Sequence, residues 1–259
     1  MDDLAGTDLL RPGAVDLYED LAPVYDFVSE RLYDYDETAA FVDEHVPADT
    51  RSVAVGACGG GHLLARLAAR YEEVLGIDRS RAMLALSATR TDANCLAADL
   101  TTFVAPGAFD AVTMLGGSVA HLPTDDGTGT DGVVAFFENA YESLAPGGVL
   151  LCDFIEAGSL ESGHVVRDAY TDDRFRVGRT VVTTADHATA DLGRTARFTY
   201  GYEITDTHDD ETVKAGTSVP VREFEPGAML GTALAAGFTD ATLATPPTHG
   251  RAVVAHRGE

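Results

Sequence analysis

Apolar and polar positions follow two rhythms along this chain, and the change comes near Ser159. Before it, short apolar runs of strand length alternate with stretches of helical period. Leu17, Leu21, Val24, Tyr25 and Val28 share one face of a helical pattern running from Val15 to Val46, and Pro47 closes a second short helix carrying Ala40, Phe41 and His45. Arg51–Gly56 reads as a buried strand, Gly61–Tyr71 as a helix with Leu63, Leu64, Leu67 and Tyr71 inward, and Glu73–Ile77 as a second strand. Ser80 can cap a helix running to Arg90. Asn94–Ala98 and Phe109–Leu115 follow as third and fourth strands, Val133–Leu144 as a helix and Gly148–Ile155 as a fifth strand. Near-continuous apolar strands separated by amphipathic helices predict a parallel sheet covered on both faces.

Past Ser159 the period is two. Phe198, Tyr200, Tyr202 and Ile204 alternate with Thr199, Gly201, Glu203 and Thr205, and Val213, Ala215, Thr217, Val219 and Val221 alternate likewise. His208-Asp209-Asp210 between them predicts a hairpin, with Arg174–Thr184 as another strand of the same antiparallel sheet. Pro226–Ala236 reads as a helix ended by Gly237, and Phe238–Leu243 and Arg251–His256 as closing strands. The expected plan is α/β. Residues 1–14 form a loose polar arm; residues 15–159 and 223–259 form one doubly wound, mostly parallel unit; residues 160–222 insert an antiparallel sheet.

Charge narrows the function classes. The chain has 259 residues and a formal charge of −24, from 18 Lys and Arg against 42 Asp and Glu. Phosphate binding needs clustered basic residues, so nucleic acid is excluded as partner. Lys214 is the only lysine, and Asp outnumbers Glu 27 to 15. A GC-rich genome explains the missing lysine but not the excess acid; a salt-filled, halophilic cytosol explains both. At about 1 M salt the Debye length is about 3 Å, so an acidic surface hardly repels itself. Three cysteines, Cys58, Cys95 and Cys152, are too few for a disulfide framework and lack zinc spacing, and the start MDDLAGTDLL has neither a basic region nor an apolar core. No apolar run approaches the roughly 20 residues of a membrane span. The expectation is a cytoplasmic protein with reduced thiols and no membrane partner.

The candidate chemistry lies where the first strand enters Ala57-Cys58-Gly59-Gly60-Gly61. Small residues there admit a ligand close to the backbone, and open α/β sheets bind ligands at the carboxyl ends of their strands. Asp78, at the end of the second strand, can accept hydrogen bonds from ribose hydroxyls or serve as a helix cap. Asp99, at the end of the third, can meet an adenine amino group or simply form a turn. A dinucleotide site wants G-x-G-x-x-G, and Cys58 and Leu64 occupy positions that pattern gives to glycine. An NAD-type oxidoreductase is therefore the lesser alternative.

Four segments in order, VAVGACGGG, LGIDRSRAML, AADLTTF with FDAVTMLGGSVAHL, and LAPGGVLLCDF, resemble the class I S-adenosylmethionine-dependent methyltransferases, over roughly residues 15–155. The fold implied is Rossmann-like with N-terminal lid helices, and the cofactor implied is S-adenosylmethionine. By that resemblance Ala57, Cys58 and Gly59 line its methionine part, Asp78 holds the ribose, Arg79 and Met83 flank the adenine, and Asp99 and Leu100 meet the adenine edge. Leu115 and Ser118 sit beside the sulfonium. Two departures from the family pattern stand out: Val55 replaces the usual acid, leaving the methionine amino group one partner short, and Ala57 replaces the first glycine.

YEDLAPVYDFV is similar to the family's lid helix. It implies Tyr18 and Tyr25 toward the methyl group and acceptor and Tyr35 toward the cofactor carboxylate; core packing is the competing role for each. Methyl transfer needs no metal. His121, just past the fourth strand, is the candidate base, at an ordinary pKa of about 6.5, against the reading of a polar loop histidine. His62 reads as a surface or packing residue and the loop TDDGTGTD (124–131) as solvated. RFTYGYEIT, REFEPGAMLGTALAAGF and RAVVAH are similar to the small-molecule branch that N-methylates amino sugars or glycine-like amines. In that branch the antiparallel sheet walls the acceptor pocket and often builds a homodimer. The implied activity is methyl transfer to a small-molecule acceptor, an amine first. A chain that binds the cofactor without turnover is the alternative that Val55 and Ala57 keep open.

Overall fold

A computed structural model describes residues 15–123, 130–190 and 193–259. The arm expected at 1–14 and most of the TDDGTGTD loop lie outside these.

The first half alternates as its apolar rhythm requires. Helices α1 (Ala22–Leu32) and α2 (Tyr35–His45) precede β1 (Ser52–Gly56), α3 (His62–Ala68), β2 (Glu73–Asp78), α4 (Arg81–Arg90), β3 (Asn94–Ala97) and β4 (Phe109–Met114). A 3-10 turn at Ser118–His121 leads to α5 (Asp131–Ser143) and β5 (Leu144–Phe154). The second short helix expected before Pro47 is α2, and the helical pattern expected from Val15 begins only at Ala22. Pro23 sits in the first turn of α1, where its missing N–H costs nothing, and Asp34 caps α2 through Asp36 and Glu37 amides. β5 starts at Leu144, four residues earlier than expected, and residues 145–148 bulge out of the pairing with β4, with Gly147 at φ +78°.

The main sheet has the order β10-β11-β5-β4-β1-β2-β3, where β10 is Asp240–Ala244 and β11 Arg251–His256. β3, β2, β1, β4 and β5 are parallel; β11 runs antiparallel to β5 and to β10. Val53, Val55, Ala111, Val149 and Leu151 pack under α2 and α3, while Val112, Met114, Leu150 and Cys152 pack with Phe136 and Phe137 of α5. Both faces are covered, which is why these strands read as continuous apolar runs. The chain winds outward from β1 in one direction and from β4 in the other, so a crevice opens between their carboxyl ends.

Beyond β5, strands β6 (Val165–Thr171), β7 (Phe175–Ala190), β8 (Gly193–Asp206) and β9 (Glu211–Phe224) form a four-stranded antiparallel sheet, and α6 (Pro226–Ala235) returns the chain to the main sheet. The expected hairpin is present, with Asp206 opposite Glu211. β6 escaped the sequence reading because it is an edge strand whose residues are mostly exposed, with no apolar face to set a period. Phe175, Val177, Tyr202, Ile204 and Ala215 bury one face of this sheet against Leu17, Leu21, Val24, Phe27 and Val28. That contact clamps the N-terminal segment over the crevice.

Candidate active site

The glycine-rich turn after β1 curls back on itself. Ala57 and Gly59 have φ of +50° and +54°, and Gly61 has +82°. For Ala57 that conformation costs about 1 kcal/mol, which the surrounding structure must hold in place. The curl aims the Gly59 amide at Asp78, whose Oδ2 accepts it at 2.9 Å while Oδ1 accepts the Ser80 amide at 2.9 Å. Burial pushes the Asp78 carboxyl up, and the backbone donors from Ser80 and Gly59 pull the other way. The helix cap is Ser80, whose Oγ accepts the Met83 amide at 3.0 Å and donates to the Tyr18 carbonyl at 2.8 Å. Asp78 is left to fasten the loop and face the crevice.

Two connected cavities fill the crevice. One, of about 820 Å³ and open to solvent, is lined by Tyr18, Tyr25, Asp78, Arg79, Met83, Asp99, Leu100 and His121, among others. The second, of about 610 Å³, is lined by Tyr33, Tyr35, Cys58, His62, Leu115 and Thr248, among others. Tyr25, Ala57, Gly59, Gly116 and Ser118 border both. A β-carbon built on Gly59 or Gly116 would meet nothing within 4 Å, so backbone faces open space at both. All fourteen residues singled out from the sequence line one cavity or the other.

Their chemistry is more varied than the sequence implied. Asp99 Oδ1 accepts the Thr101 amide at 2.8 Å and its hydroxyl at 2.7 Å, so this acid forms a turn while also lining the cavity. The Tyr18 ring sits edge-on to Tyr25 at 5.2 Å and to His121 at 6.1 Å. Burial pushes both phenols well up, so they stay neutral. His121 Nδ1 donates to the Pro220 carbonyl at 3.0 Å, which leaves Nε2 as a lone pair. The ordinary pKa expected for it is corrected: burial lowers it to about 4, against the pull of the Pro220 carbonyl and with help from Arg79, Arg222 and His249. Above pH 5 it is a neutral acceptor.

Two features escaped the sequence reading, and His62 takes the packing role of the two read for it. His62 is 3% exposed: its Nε2 bonds Asp26 Oδ1 at 2.9 Å and its ring stacks on Tyr35 at 4.8 Å. Tyr33 Oη and His249 Nε2 are 2.6 Å apart, joining α1's C-terminal end to the β10–β11 loop. Asp153, at the end of β5 and fully buried, accepts the Gly116 and Gly117 amides at 2.7 and 2.8 Å and the Thr248 hydroxyl. Burial raises it to about 6, against those three donors. An acid at the end of a central strand is a signal that could have found it. No cluster able to hold a metal ion occurs among the described residues, and none of the helices there is long and apolar enough to cross a membrane.

Comparison with known proteins agrees with this architecture. Residues 53–148 match the family described as a methyltransferase domain. The Bacillus subtilis (strain 168) protein YqeM is 27% identical over 164 residues, covering 61% of this chain and 61% of that relative. Among solved structures, DesVI of Streptomyces venezuelae superposes with a TM-score of 0.80 at 23% identity, over 93% of this chain and 99% of that one. CalS10, an amino pentose methyltransferase from Micromonospora echinaspora solved with S-adenosylmethionine bound, gives 0.75 at 25%, over 90% and 96%. The sugar N-methyltransferase KedS8 from Streptoalloteichus gives 0.75 at 25%, over 96% and 99%. The match to a methyltransferase domain falls on residues 53–148, which lie in a mostly parallel Rossmann-like sheet joined to a separate antiparallel sheet.

Proposed function

We propose that this chain transfers a methyl group from S-adenosylmethionine to an amine of a small molecule, an amino sugar being the first acceptor to test. The observation that carries the reading is a convergence at the carboxyl ends of β1 and β4. There the Asp78-fastened glycine loop lies across one crevice from Tyr18, Tyr25 and His121. The solved sugar N-methyltransferases, similar over nearly their whole length, support the choice of acceptor class.

When bound, S-adenosylmethionine supplies an electrophilic methyl group on a sulfonium. Asp78 would receive the ribose hydroxyls, Arg79 and Met83 would flank the adenine, and Asp99 and Leu100 would meet its edge. Ala57, Cys58, Gly59, Leu115, Ser118 and Tyr35 border the space for the methionine end. Tyr18 and His121 bind and orient the acceptor nitrogen. The free Nε2 of His121 accepts a hydrogen bond from the amine and so points its lone pair. With its pKa near 4, His121 orients the nitrogen rather than storing its proton. Holding two reactants in line can lower a barrier by about 7–11 kcal/mol, so alignment without strong base catalysis suffices.

Calorimetric titration with S-adenosylhomocysteine and NADH, followed by methyl transfer to amines, hydroxyls and thiols in molar KCl, tests this. Binding of NADH alone would overturn the cofactor. Tight S-adenosylhomocysteine binding without turnover on any acceptor would leave a binding protein and overturn the enzyme.

A further inference from the structure

Two of the three cysteines meet under the cofactor loop, although they are 37 residues apart in sequence. Cys58 sits in the glycine turn after β1, and Cys95 in the edge strand β3. Between these strands runs β2, with Gly76 paired to both Val55 and Cys95. Gly76 has no side chain, and Leu64 Cδ2 and the two sulfurs close around the space that leaves. A β-carbon built there would lie 3.0 Å from Cys58 Sγ and 3.3 Å from Cys95 Sγ. Both sulfurs therefore border the same space over Gly76. Cys95 Sγ also lies 3.4 Å from Ser87 Oγ of α4 and is only partly buried. Cys152 is fully buried on β5, away from both.

We propose that Cys58 and Cys95 form a disulfide when the protein meets a hydroperoxide, and that the bond loosens the cofactor cleft. The Cys95 thiolate, on the more open side chain, attacks the peroxide oxygen, giving a sulfenic acid and releasing the other oxygen as water or alcohol. The Cys58 sulfur then attacks the Cys95 sulfur, the S–O bond breaks, and the oxygen leaves as water. Two thiols are oxidised and one peroxide reduced. Burial pushes the Cys58 thiol up, so it is a slow nucleophile in bulk terms, and proximity to its partner must compensate.

A disulfide needs sulfurs about 2.05 Å apart, closer than two unbonded thiols approach. Something must move, and both anchors belong to the cleft. Cys58 lies between Ala57 and Gly59, each held at positive φ, and Cys95 lies three residues before Ala98, which lines the cavity with Asp99 and Leu100. β3 pairs with β2 alone, so it is the strand that yields. Closing the bond displaces the glycine loop and the adenine side together.

The regulatory half of this inference rests on the proposed cofactor; the disulfide itself does not. The test treats the full chain with hydrogen peroxide, maps its peptides by mass spectrometry, and titrates reduced and oxidised protein with S-adenosylhomocysteine. The expected result is a linked Cys58–Cys95 peptide, a free Cys152, and affinity roughly tenfold weaker, about the loss of one hydrogen bond at the displaced loop. Thioredoxin-class reductant should restore it. Cys95→Ser, with Cys95→Ala as second variant against a folding defect, should keep the reduced affinity and lose the response to peroxide. Absence of the linked peptide overturns the disulfide, and a linked peptide with unchanged affinity overturns the switch. Reduced protein that binds no S-adenosylhomocysteine counts against the proposed function instead.

Discussion

Replacing Asp26 by alanine should release the N-terminal segment from the cofactor loop. Asp26 projects from α1 into the turn after β1, with Oδ1 accepting His62 Nε2 at 2.9 Å and Oδ2 accepting Arg90 Nη2 at 2.9 Å. Its carboxylate lies directly against Gly60: a β-carbon there would come within 1.7 Å of Oδ1. Arg90 also donates to the Gly60 carbonyl. One carboxylate therefore ties α1 to α3, α4 and the glycine turn. Removing one partner of a buried ion pair costs about 3–5 kcal/mol. The Asp26 and His62 side chains are 10% and 3% exposed, but Arg90 is 23% exposed and solvent screens its share. Loss of about 2–4 kcal/mol follows. For a domain of this size, 3 kcal/mol lowers the melting temperature by about 6–12 °C.

Urea unfolding of Asp26→Ala, Arg90→Ala and the double variant gives the coupling directly, expected at about 1–3 kcal/mol. Asp26→Asn, which keeps one acceptor without the charge, should fall between wild type and alanine. Affinity for S-adenosylhomocysteine should drop in Asp26→Ala as well, because α1 carries Tyr25 into the cleft. Burial alone would push the Asp26 carboxyl up; His62 and Arg90 more than offset it, and the group ends below the usual range. A depressed carboxyl stabilises above its unfolded pKa, so the gap between wild type and variant should be full at neutral pH. It should close as the pH falls below the carboxylate range. A variant within about 0.5 kcal/mol of wild type, with unchanged affinity, would refute the clamp.

Asp78→Asn should weaken S-adenosylhomocysteine binding by about 2 kcal/mol, roughly thirtyfold, because an amide cannot accept from both Gly59 and Ser80 and still receive a ribose hydroxyl; calorimetry with unchanged affinity would remove Asp78 from the site. Below its unfolded pKa of about 6.5, His121 resists protonation down to about 4, so wild type should gain about 3 kcal/mol over His121→Asn as the pH rises through that window. Asp153, raised to about 6, runs the other way: wild type should lose a comparable amount against Asp153→Asn between about pH 4 and 6. Urea midpoints that stay parallel across that range would contradict either shift. The acid surplus is proposed to be an adaptation to a salt-filled cytosol, so the melting temperature should fall when molar KCl is replaced by dilute buffer; an unchanged value would refute it.

Periodicity reached the main sheet because its strands are buried on both faces, and any sheet of that kind writes long apolar runs. It missed β6, whose exposed edge residues carry no such constraint. The glycine loop and Asp78 were visible because a close backbone approach demands small residues in sequence. Asp153 was hidden in LLCDF, where it looks like one more strand residue, and its partners Gly116 and Thr248 come from other segments. Tyr33 and His249 are separated by 216 positions, so nothing local announces their bond. His121 was found as a residue, but its lowered pKa was not legible, because it comes from burial and from the charges of Arg79, Arg222 and His249, against the Pro220 carbonyl. Residue types read from a sequence give candidate chemistry; the sign and size of a pKa shift come from what the fold brings around them.

The aromatic lining of the two cavities bears on the proposed acceptor. Tyr18, Tyr25 and Tyr33 line the cavities, Tyr200 and Tyr202 lie within electrostatic reach of Tyr18, and burial raises every one of these phenols. They therefore present neutral hydroxyls and aromatic faces. The nearest arginine in their sheet, Arg179, is held by Asp168 at two points, so its charge is largely compensated. Such a wall repels no cation and offers no strong counter-ion to an anion. An amine entering as ammonium is favoured by aromatic faces by about 0.5–2 kcal/mol. It must then give up its proton before its lone pair is free. His121 is too weakly basic to keep that proton, so the proton must pass to bulk water through the open cavity mouth. Turnover should accordingly rise with pH toward the acceptor amine's own pKa and shift with it when the amine is changed. A profile fixed near pH 6.5 for every acceptor would instead return His121 to the role of base.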